Sequence, residues 1–224
     1  MEDYMKYQIK VNKLENPTGN VMGYASVVFE ESLKVARIAI VKNKSGGLFV
    51  SMPHYATSNP NEEHKDICNP ITKEFRAELY DGILSVYENM DQMEEATKTF
   101  GNQETELKIE VRATTLEKSD SKVKGLARMY INDCFVINNI SLIEGKNGLF
   151  VSMPSYKTNQ KDAQGKAIYQ DLVYPVTKEF REKMIGEIKS AYEQVKEQKS
   201  RKIKETIAQD REMEKIAKEE TPFR

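Results

Sequence analysis

The residues best able to do chemistry in this sequence form a run of cations near its C-terminal end. The run Lys196-Glu-Gln-Lys-Ser-Arg-Lys-Ile-Lys204 holds five cations and one anion. On a helix these cations spread over more than half of the circumference, so several phosphates of a passing nucleic-acid backbone could be contacted. The run is therefore a candidate surface for binding DNA or RNA through the phosphate backbone.

Two upstream arginines end almost identical phrases, PITKEFR over 70–76 and PVTKEFR over 175–181. Each arginine lies in the first turn of a predicted helix, and Lys183 follows the second by about half a turn. We predict that these cations extend the phosphate-binding surface. The predicted nucleic-acid contacts are Arg76, Arg181, Lys183, Lys196, Lys199, Arg201, Lys202 and Lys204.

A solvated helix surface is the alternative interpretation of the same cations. Glu197 can pair with Arg201 four residues on, and the tail over 205–220 is acidic. A sparse apolar stripe of Ile203, Ile207, Met213 and Ile216 predicts that the tail packs on another chain as a narrow coiled seam. The rival hypothesis is therefore a protein-interaction or scaffolding module without phosphate affinity.

Histidine and cysteine give little support to other chemistry. The sequence has two histidines and two cysteines; Cys68 matches Val173 and Cys134 matches Ser32 across an internal repeat described below. A disulfide or metal framework is not expected from unmatched residues. The sequence also lacks the phosphate-loop, dinucleotide-binding and zinc-protease motifs. We expect no enzymatic activity, no cofactor and no metal site.

Composition is that of a globular protein of 224 residues, with a formal net charge of −1 and 39% hydrophobic residues. Its apolar runs are too short to span a bilayer, and the first residues lack the basic and apolar regions of a secretion signal. We expect a cytoplasmic protein.

The elements that position these residues occur twice, in an internal repeat of the sequence. The heptapeptide GLFVSMP occurs at 47–53 and again at 148–154, an offset of 101 positions, whereas the PITKEFR phrases are offset by 105. The four extra residues mark a loop. Upstream, Gly23-Tyr24-Ala25 matches Gly125-Leu126-Ala127, and we align Ile9-Lys10-Val11 with Ile109-Glu110-Val111.

Each copy has a two-residue period followed by a helical period of about 3.6 residues. The alternation predicts four strands per copy, about 6–13, 21–30, 34–42 and 47–52, then 106–113, 123–132, 134–144 and 148–153. Glycines before the fourth strands suit turns with positive φ. Thr72 and Thr177 are predicted helix N-caps. The predicted core stripes are Phe75, Leu79, Ile83, Val86 and Met90, and Phe180, Met184, Ile188, Ala191 and Val195.

This pattern predicts an α+β fold of two tandem domains, each an antiparallel sheet of about four strands with one C-terminal helix. The predicted boundaries are 4–92 for copy one, 93–104 for an acidic linker, 105–197 for copy two and 198–224 for a charged helical tail. We expect the linker to begin as a helical continuation of the first helix and to end in a short flexible joint.

The shared phrases resemble those of the SpoVG family, the stage V sporulation protein G or septation regulator proteins. In copy two these are the run from Ile140 to Ser155, the run from Gln170 to Glu182, and a helix ending near Tyr192. In copy one they are GLFVSMP, Asp66-Ile67, the phrase from Pro70 to Arg76, and Tyr87. The resemblance covers nearly all of both copies.

The resemblance implies a cytoplasmic bacterial regulator, acting on septation, sporulation and related genes, that binds DNA and RNA and forms dimers. Basic residues of the helical region and its tail are the implied DNA contacts. Family members carry one copy, so two copies in one chain imply an intramolecular pseudo-dimer; further homo-oligomers remain open. Copy one departs from the family turn, with Lys44-Ser-Gly-Gly47 where copy two has Gly145-Lys-Asn-Gly148.

Overall fold

A computed structural model describes residues 5–17, 19–57, 64–90, 94–101, 106–116 and 120–219, with side chains up to residue 213. The end of the predicted tail, 220–224, lies outside the described residues. The fold is α+β, with antiparallel sheets and two helices, as the sequence predicts.

The described residues of copy one form seven strands and one helix, and the sequence predicted the four longest strands. The strands are β1 Tyr7–Lys13, β2 Val21–Phe29, β3 Leu33–Lys42, β4 Leu48–Ser51, β5 His54–Ala56, β6 His64–Asp66 and β7 Cys68–Pro70. Helix α1 spans Lys73–Glu88, and strand β8, Glu95–Phe100, follows it.

Copy two repeats this order. Its strands are β9 Ile109–Thr115, β10 Val123–Ile131, β11 Phe135–Gly145, β12 Gly148–Ser152, β13 Ser155–Lys161, β14 Ala167–Asp171 and β15 Val173–Pro175. Helix α2 spans Lys178–Glu219, a length of 42 residues that includes most of the predicted tail. The predicted turn glycines before β4 and β12 include Gly46 and Gly148, whose φ values are +93° and +96°.

Each copy builds an antiparallel sheet with its helix on one face. Sheet one has the order β15-β3-β2-β1-β8, with β4 also on β3, and α1 packs on it. Sheet two has the order β12-β11-β10-β9, with β7 also on β11, and α2 packs on it. We call the side of each sheet opposite its helix the outer face.

The register corrects one sequence alignment by two residues. Tyr7 pairs with Phe29 in sheet one, and Ile109 pairs with Ile131 in sheet two, so the equivalent of Ile9 is Val111. Because side chains alternate with a period of two, a two-residue slip keeps every residue on the same face, and the sequence pattern could not detect it.

The two sheets complete each other by exchanging one short strand. Strand β7 of copy one pairs with β11 of copy two, and β15 of copy two pairs with β3 of copy one. Matching backbone hydrogen bonds flank the exchange: Asn138 N donates to Ile67 O at 2.7 Å, and Ala36 N donates to Leu172 O at 2.8 Å. The sequence pattern did not predict this exchange.

The exchange occurs beside a bulge at the same place in both copies. Arg37 in β3 and Asn139 in β11 adopt left-handed φ values of +59° and +57°, and the registers of both strands shift there. On one side of each bulge the strand pairs with the other copy, and on the other side it pairs with β4 or β12 of its own copy. The bulge therefore separates two pairing partners along one strand.

Both helices begin at the predicted caps. Thr72 Oγ1 accepts from Phe75 N at 3.3 Å, and Thr177 Oγ1 accepts from Phe180 N at 3.2 Å. The five predicted core residues of the first stripe are buried, although Met90 lies just beyond the end of α1. In α2 the prediction of Ala191 and Val195 is wrong: both are half-buried, and Tyr192 completes the buried stripe of Phe180, Met184 and Ile188. The two cores form one cluster, and the rings of Phe29 and Phe135, from different copies, lie 5.2 Å apart.

The predicted helical lead-out between the copies is wrong. Helix α1 ends at Glu88, and the segment continues as strand β8, which pairs with β1. The ring of Phe100 stacks on Tyr7 at 5.3 Å, which anchors β8 over the core. The acidic residues favoured a helix in the sequence, but Thr97, Thr99 and Phe100 have the higher β-propensity. Residues 91–93 and 102–105 lie outside the described residues.

Candidate nucleic-acid interface

The two predicted arginines at the helix starts have different surroundings. Arg76 Nη2 donates to the backbone oxygen of Pro70 at 2.8 Å, so this guanidinium holds the end of the exchanged strand β7. Arg181, its equivalent, lies near Asp171. Burial raises the pKa of the Asp171 carboxyl, and the charge of Arg181 opposes that rise. Both arginines are exposed, and Arg76 also supports the junction between the copies.

Lys183 is engaged with the start of copy two. Its Nζ donates to Glu106 Oε1 and lies 3.4 Å from the backbone oxygen of Leu107. The hydrogen bond from Lys183 lowers the pKa of the Glu106 carboxyl. The charge of Lys183 is therefore partly neutralised, which makes it a weaker contact for a phosphate.

The basic run continues α2 beyond the core as a solvent-exposed helix. Acids on the same helix pair with Lys196, through Glu193 at 3.3 Å, and with Arg201, through Glu197 at 3.7 Å. Within the part of the chain that the structure describes, Lys202 and Lys204 have no ion-pair partner. Every side chain from Arg201 to Met213 is exposed. The tail therefore offers accessible cations, some of which form ion pairs with acidic residues on the same helix.

The eight predicted contacts do not converge on one site. Arg181 and Arg201 lie 20 residues apart on α2, which corresponds to roughly 30 Å along a helix. The helix-start group and the tail group are thus separate features, and only the tail group is a continuous run of cations.

A second cationic surface, which the sequence analysis missed, covers the outer face of sheet two. Arg112 of β9 lies directly opposite Arg128 of β10. The Arg112 guanidinium stacks 4.8 Å from the centroid of the Tyr130 ring, and its Nε donates to Glu110 at 2.8 Å. Arg128 is exposed and, among the described residues, has no ion-pair partner. Cations and an aromatic ring therefore share one face of the sheet.

Two cavities meet on this face. One, of about 520 Å³, lies between the β5–β6 hairpin of copy one and sheet two, and Tyr55, Lys65 and Asn138 help to line it. The other, of about 410 Å³, runs across β9 and β10 past Arg112 and Thr114. The cavities share Arg128, Tyr130 and Asn139.

The equivalent region of copy one also holds a cavity, of about 410 Å³, but different side chains line it. The guanidinium of Arg37 lies between two rings, 4.6 Å from the centroid of Tyr24 and 4.4 Å from that of Tyr156. Lys10, the structural equivalent of Arg112, pairs with Glu95 of β8 at 2.7 Å. The two outer faces have therefore diverged.

Strand alternation was the signal that could have revealed the face on sheet two. Arg128 and Tyr130 occupy successive outward positions of β10, and Arg112 occupies one on β9. The β5–β6 hairpin, which forms one wall of the larger cavity, could not be predicted as part of this surface. Its position depends on how the two copies pack against each other.

Neither cysteine offers reactive chemistry. Both thiols are buried, and burial raises the pKa of Cys134 to about 12 and that of Cys68 further. The rings of His54 and His64 pack edge to face at 4.6 Å on the β5–β6 hairpin. Across the described residues, neither helix has an apolar stretch long enough to cross a membrane.

Comparison with known proteins finds the same repeat. A family model described as SpoVG matches residues 5–89 and, separately, 107–194. The two matches cover the sheet and helix of each copy, and they leave out β8 and the distal part of α2.

Similar proteins named as septation proteins SpoVG occur in several bacteria. One from Treponema denticola is 36% identical over 84 residues, which cover 38% of this chain and 83% of that protein. One from Phytoplasma australiense is 37% identical over 76 residues, covering 34% and 73%, and one from a Thermoanaerobacter species is 33% identical over 91 residues, covering 41% and 91%. Each alignment spans most of the relative but about one copy of this chain.

Proposed function

Because this chain belongs to the SpoVG family and carries the family domain twice, we propose that it is a non-enzymatic regulator that binds DNA or RNA. Septation is the process named for its relatives, so we place the regulation there. The observation that supports binding is the exposed run of cations on α2, of which Lys202 and Lys204 lack ion-pair partners among the described residues.

The arrangement of cations on the exposed part of α2 favours contact with phosphates over catalysis. A long exposed helix can lie along a nucleic-acid backbone and place several cations near successive phosphates. Among the described residues, Glu193 pairs with Lys196 and Glu197 pairs with Arg201, while Lys202 and Lys204 have no ion-pair partner. Affinity should therefore be strongly salt-dependent and weakly dependent on base sequence.

The test is fluorescence anisotropy with labelled duplex DNA and with structured RNA at 50 and 200 mM salt. If four phosphates are contacted, affinity for duplex should fall about a hundredfold between these concentrations. Replacing Lys199, Arg201, Lys202 and Lys204 by Ala should remove most of the affinity and most of its salt dependence.

A matched control removes the same charge elsewhere. Replacing Lys42, Lys44, Lys122 and Lys146, all exposed and outside α2, by Ala changes the net charge equally. We expect this control to bind within about twofold of the parent. Salt-independent binding, or equal losses in both variants, would contradict a tail-centred interface.

A protein-interaction module is the second candidate, and apolar exposure on the tail favours it. Ile203, Ile207 and Met213 are exposed by 50%, 45% and 69%. An absence of binding to either nucleic acid at 50 mM salt would favour this candidate.

A further inference from the structure

The outer face of sheet two joins three features that nucleic-acid sites need: unpaired positive charge, an accessible aromatic ring and a groove of suitable size. Resting on the proposed function, we propose that this face is a second binding site, for single-stranded nucleic acid. Arg112 and Arg128 contact phosphates there, and a base stacks on the part of the Tyr130 ring that the Arg112 guanidinium leaves uncovered.

The groove is large enough for a short single strand. Its two adjacent cavities measure about 520 and 410 Å³ and share Arg128, Tyr130 and Asn139 as lining residues. Ligand sites of small molecules fall in the range of about 300–1,000 Å³. One or two nucleotides can therefore lie across the face with their neighbours extending beyond it.

Its charges suit a polyanion. Arg112 keeps its Nη groups available while Nε is held by Glu110, and this ion pair fixes the guanidinium over Tyr130. Arg128, directly opposite, has no ion-pair partner among the described residues. Asp66 also lines the larger cavity, together with Lys65. The arginine pair is thus the most favourable place for a phosphate.

The polar groups that line the groove can read a base edge. The side-chain amide of Asn138 donates to the backbone oxygen of Asp66 at 3.1 Å, and that of Asn69 donates to the backbone oxygen of Pro70 at 3.1 Å. These bonds hold the two amides through their NH₂ groups, so the side-chain oxygens remain available as acceptors. Acceptors of this kind suit the amino groups of bases.

Single strands fit this face better than duplexes. Stacking on Tyr130 requires an exposed base face, which a duplex buries within its own stack. The wall formed by Tyr55, which is 39% exposed, adds a second ring on one side of the groove. In this proposal the tail of α2, and not this face, contacts the phosphate backbone of a duplex.

The site is specific to copy two. At the equivalent place in copy one Arg37 is held between Tyr24 and Tyr156, and Lys10 is paired with Glu95. Copy one has a cavity of about 410 Å³ there as well, but Ser26 and Val28 stand at the positions of Arg128 and Tyr130, so it lacks the arginine and the ring that copy two has there. This asymmetry supplies a control within the same molecule.

The test compares two double variants of the full chain that remove equal charge. The first, Arg112→Ala with Arg128→Ser, alters the groove, and Ser is the residue that copy one has at that place, Ser26. The second, Lys10→Ala with Arg37→Asn, alters the equivalent face of copy one. Anisotropy is measured with a labelled 20-nucleotide single strand and with duplex DNA over a range of salt.

The first variant should bind the single strand at least tenfold more weakly, and its salt slope should fall by about 1.4, the value for two lost phosphate contacts. The second should bind within about twofold of the parent. Tyr130→Leu should weaken single-strand binding about tenfold through lost stacking, with the salt slope unchanged.

The outcomes separate this inference from the proposed function. If the groove variant binds single strands like the parent while the tail variant loses duplex binding, the groove site is overturned and the proposed function stands. If the parent binds neither single strands nor duplex, the proposed function and the groove site both fail. Equal losses in the two double variants would mean that only general charge matters, which also overturns the site.

Discussion

At the scale of single residues, one repeated glycine shows how closely each helix approaches its sheet. A Cβ atom at Gly125 would lie 2.6 Å from the backbone oxygen of Thr114 and 2.6 Å from the Tyr192 ring. At its equivalent, Gly23, the distances are 2.7 Å to the oxygen of Asn12 and 3.3 Å to the Tyr87 ring. The tyrosine near the end of each core helix segment therefore requires glycine on the strand beneath it.

We expect Gly125→Ala to lower the free energy of unfolding by about 1–3 kcal/mol, because the added methyl forces backbone and ring apart. Urea denaturation followed by circular dichroism measures this change. The matched control is Gly186→Ala in α2, where a Cβ meets nothing within 4 Å. There the same substitution should stabilise by about 0.5–1 kcal/mol through helix propensity. Equal effects at the two glycines would contradict the close approach.

Other residue-level features could not have been predicted. The sequence matched Gly23 with Gly125, but Arg37 gives no sign of a left-handed conformation, because arginine is not a typical residue for positive φ. Only its equivalent, Asn139, belongs to a type that favours this region. The bulge depends on a change of pairing partner, which local sequence does not encode.

At the scale of elements, long periodic segments were predicted well and short ones were not. The four main strands of each copy and both helix starts follow from alternation and capping, which are local. Strands β7 and β15 have three residues each and pair only with the other copy. Three residues are too few to show a period, so no pattern reveals them. The eight predicted site residues all lie on helices, as expected. Acidic neighbours pair with some of them, such as Lys183, Lys196 and Arg201, so the eight do not form one uniform cationic surface.

The distal part of α2 contributes little to the folded core. Deleting residues 200–224 removes side chains that are exposed throughout 201–213. We therefore expect the melting temperature to change by no more than about 2 °C. Duplex binding should fall as it does in the four-residue tail variant. A loss of ten degrees or more in differential scanning calorimetry would show that the tail packs on the body of the protein.

At the scale of the whole molecule, the reciprocal strand exchange joins the two copies into one folding unit. Each sheet lacks a strand without the other copy, and the buried residues of both copies form one cluster. The sequence predicted the duplication and the architecture of each copy. It could not predict the exchange, because nothing in a repeated sequence distinguishes pairing within a copy from pairing between copies.

We expect the chain to unfold in a single calorimetric transition whose calorimetric and van't Hoff enthalpies agree. Phe135→Ala, which removes a buried ring in contact with Phe29 of the other copy, should cost about 3–5 kcal/mol. It should shift the whole transition to lower temperature without splitting it. Two resolved transitions in either protein would indicate independently folding halves.

The reciprocal exchange also changes how the assembly responds to dilution. A noncovalent pair of single-copy chains with the same contacts would dissociate as its concentration falls, by mass action. Within one polypeptide each half meets the other at a fixed effective concentration, on the order of millimolar for a short tether. The paired form is thus independent of expression level, so a few molecules per cell suffice to maintain it.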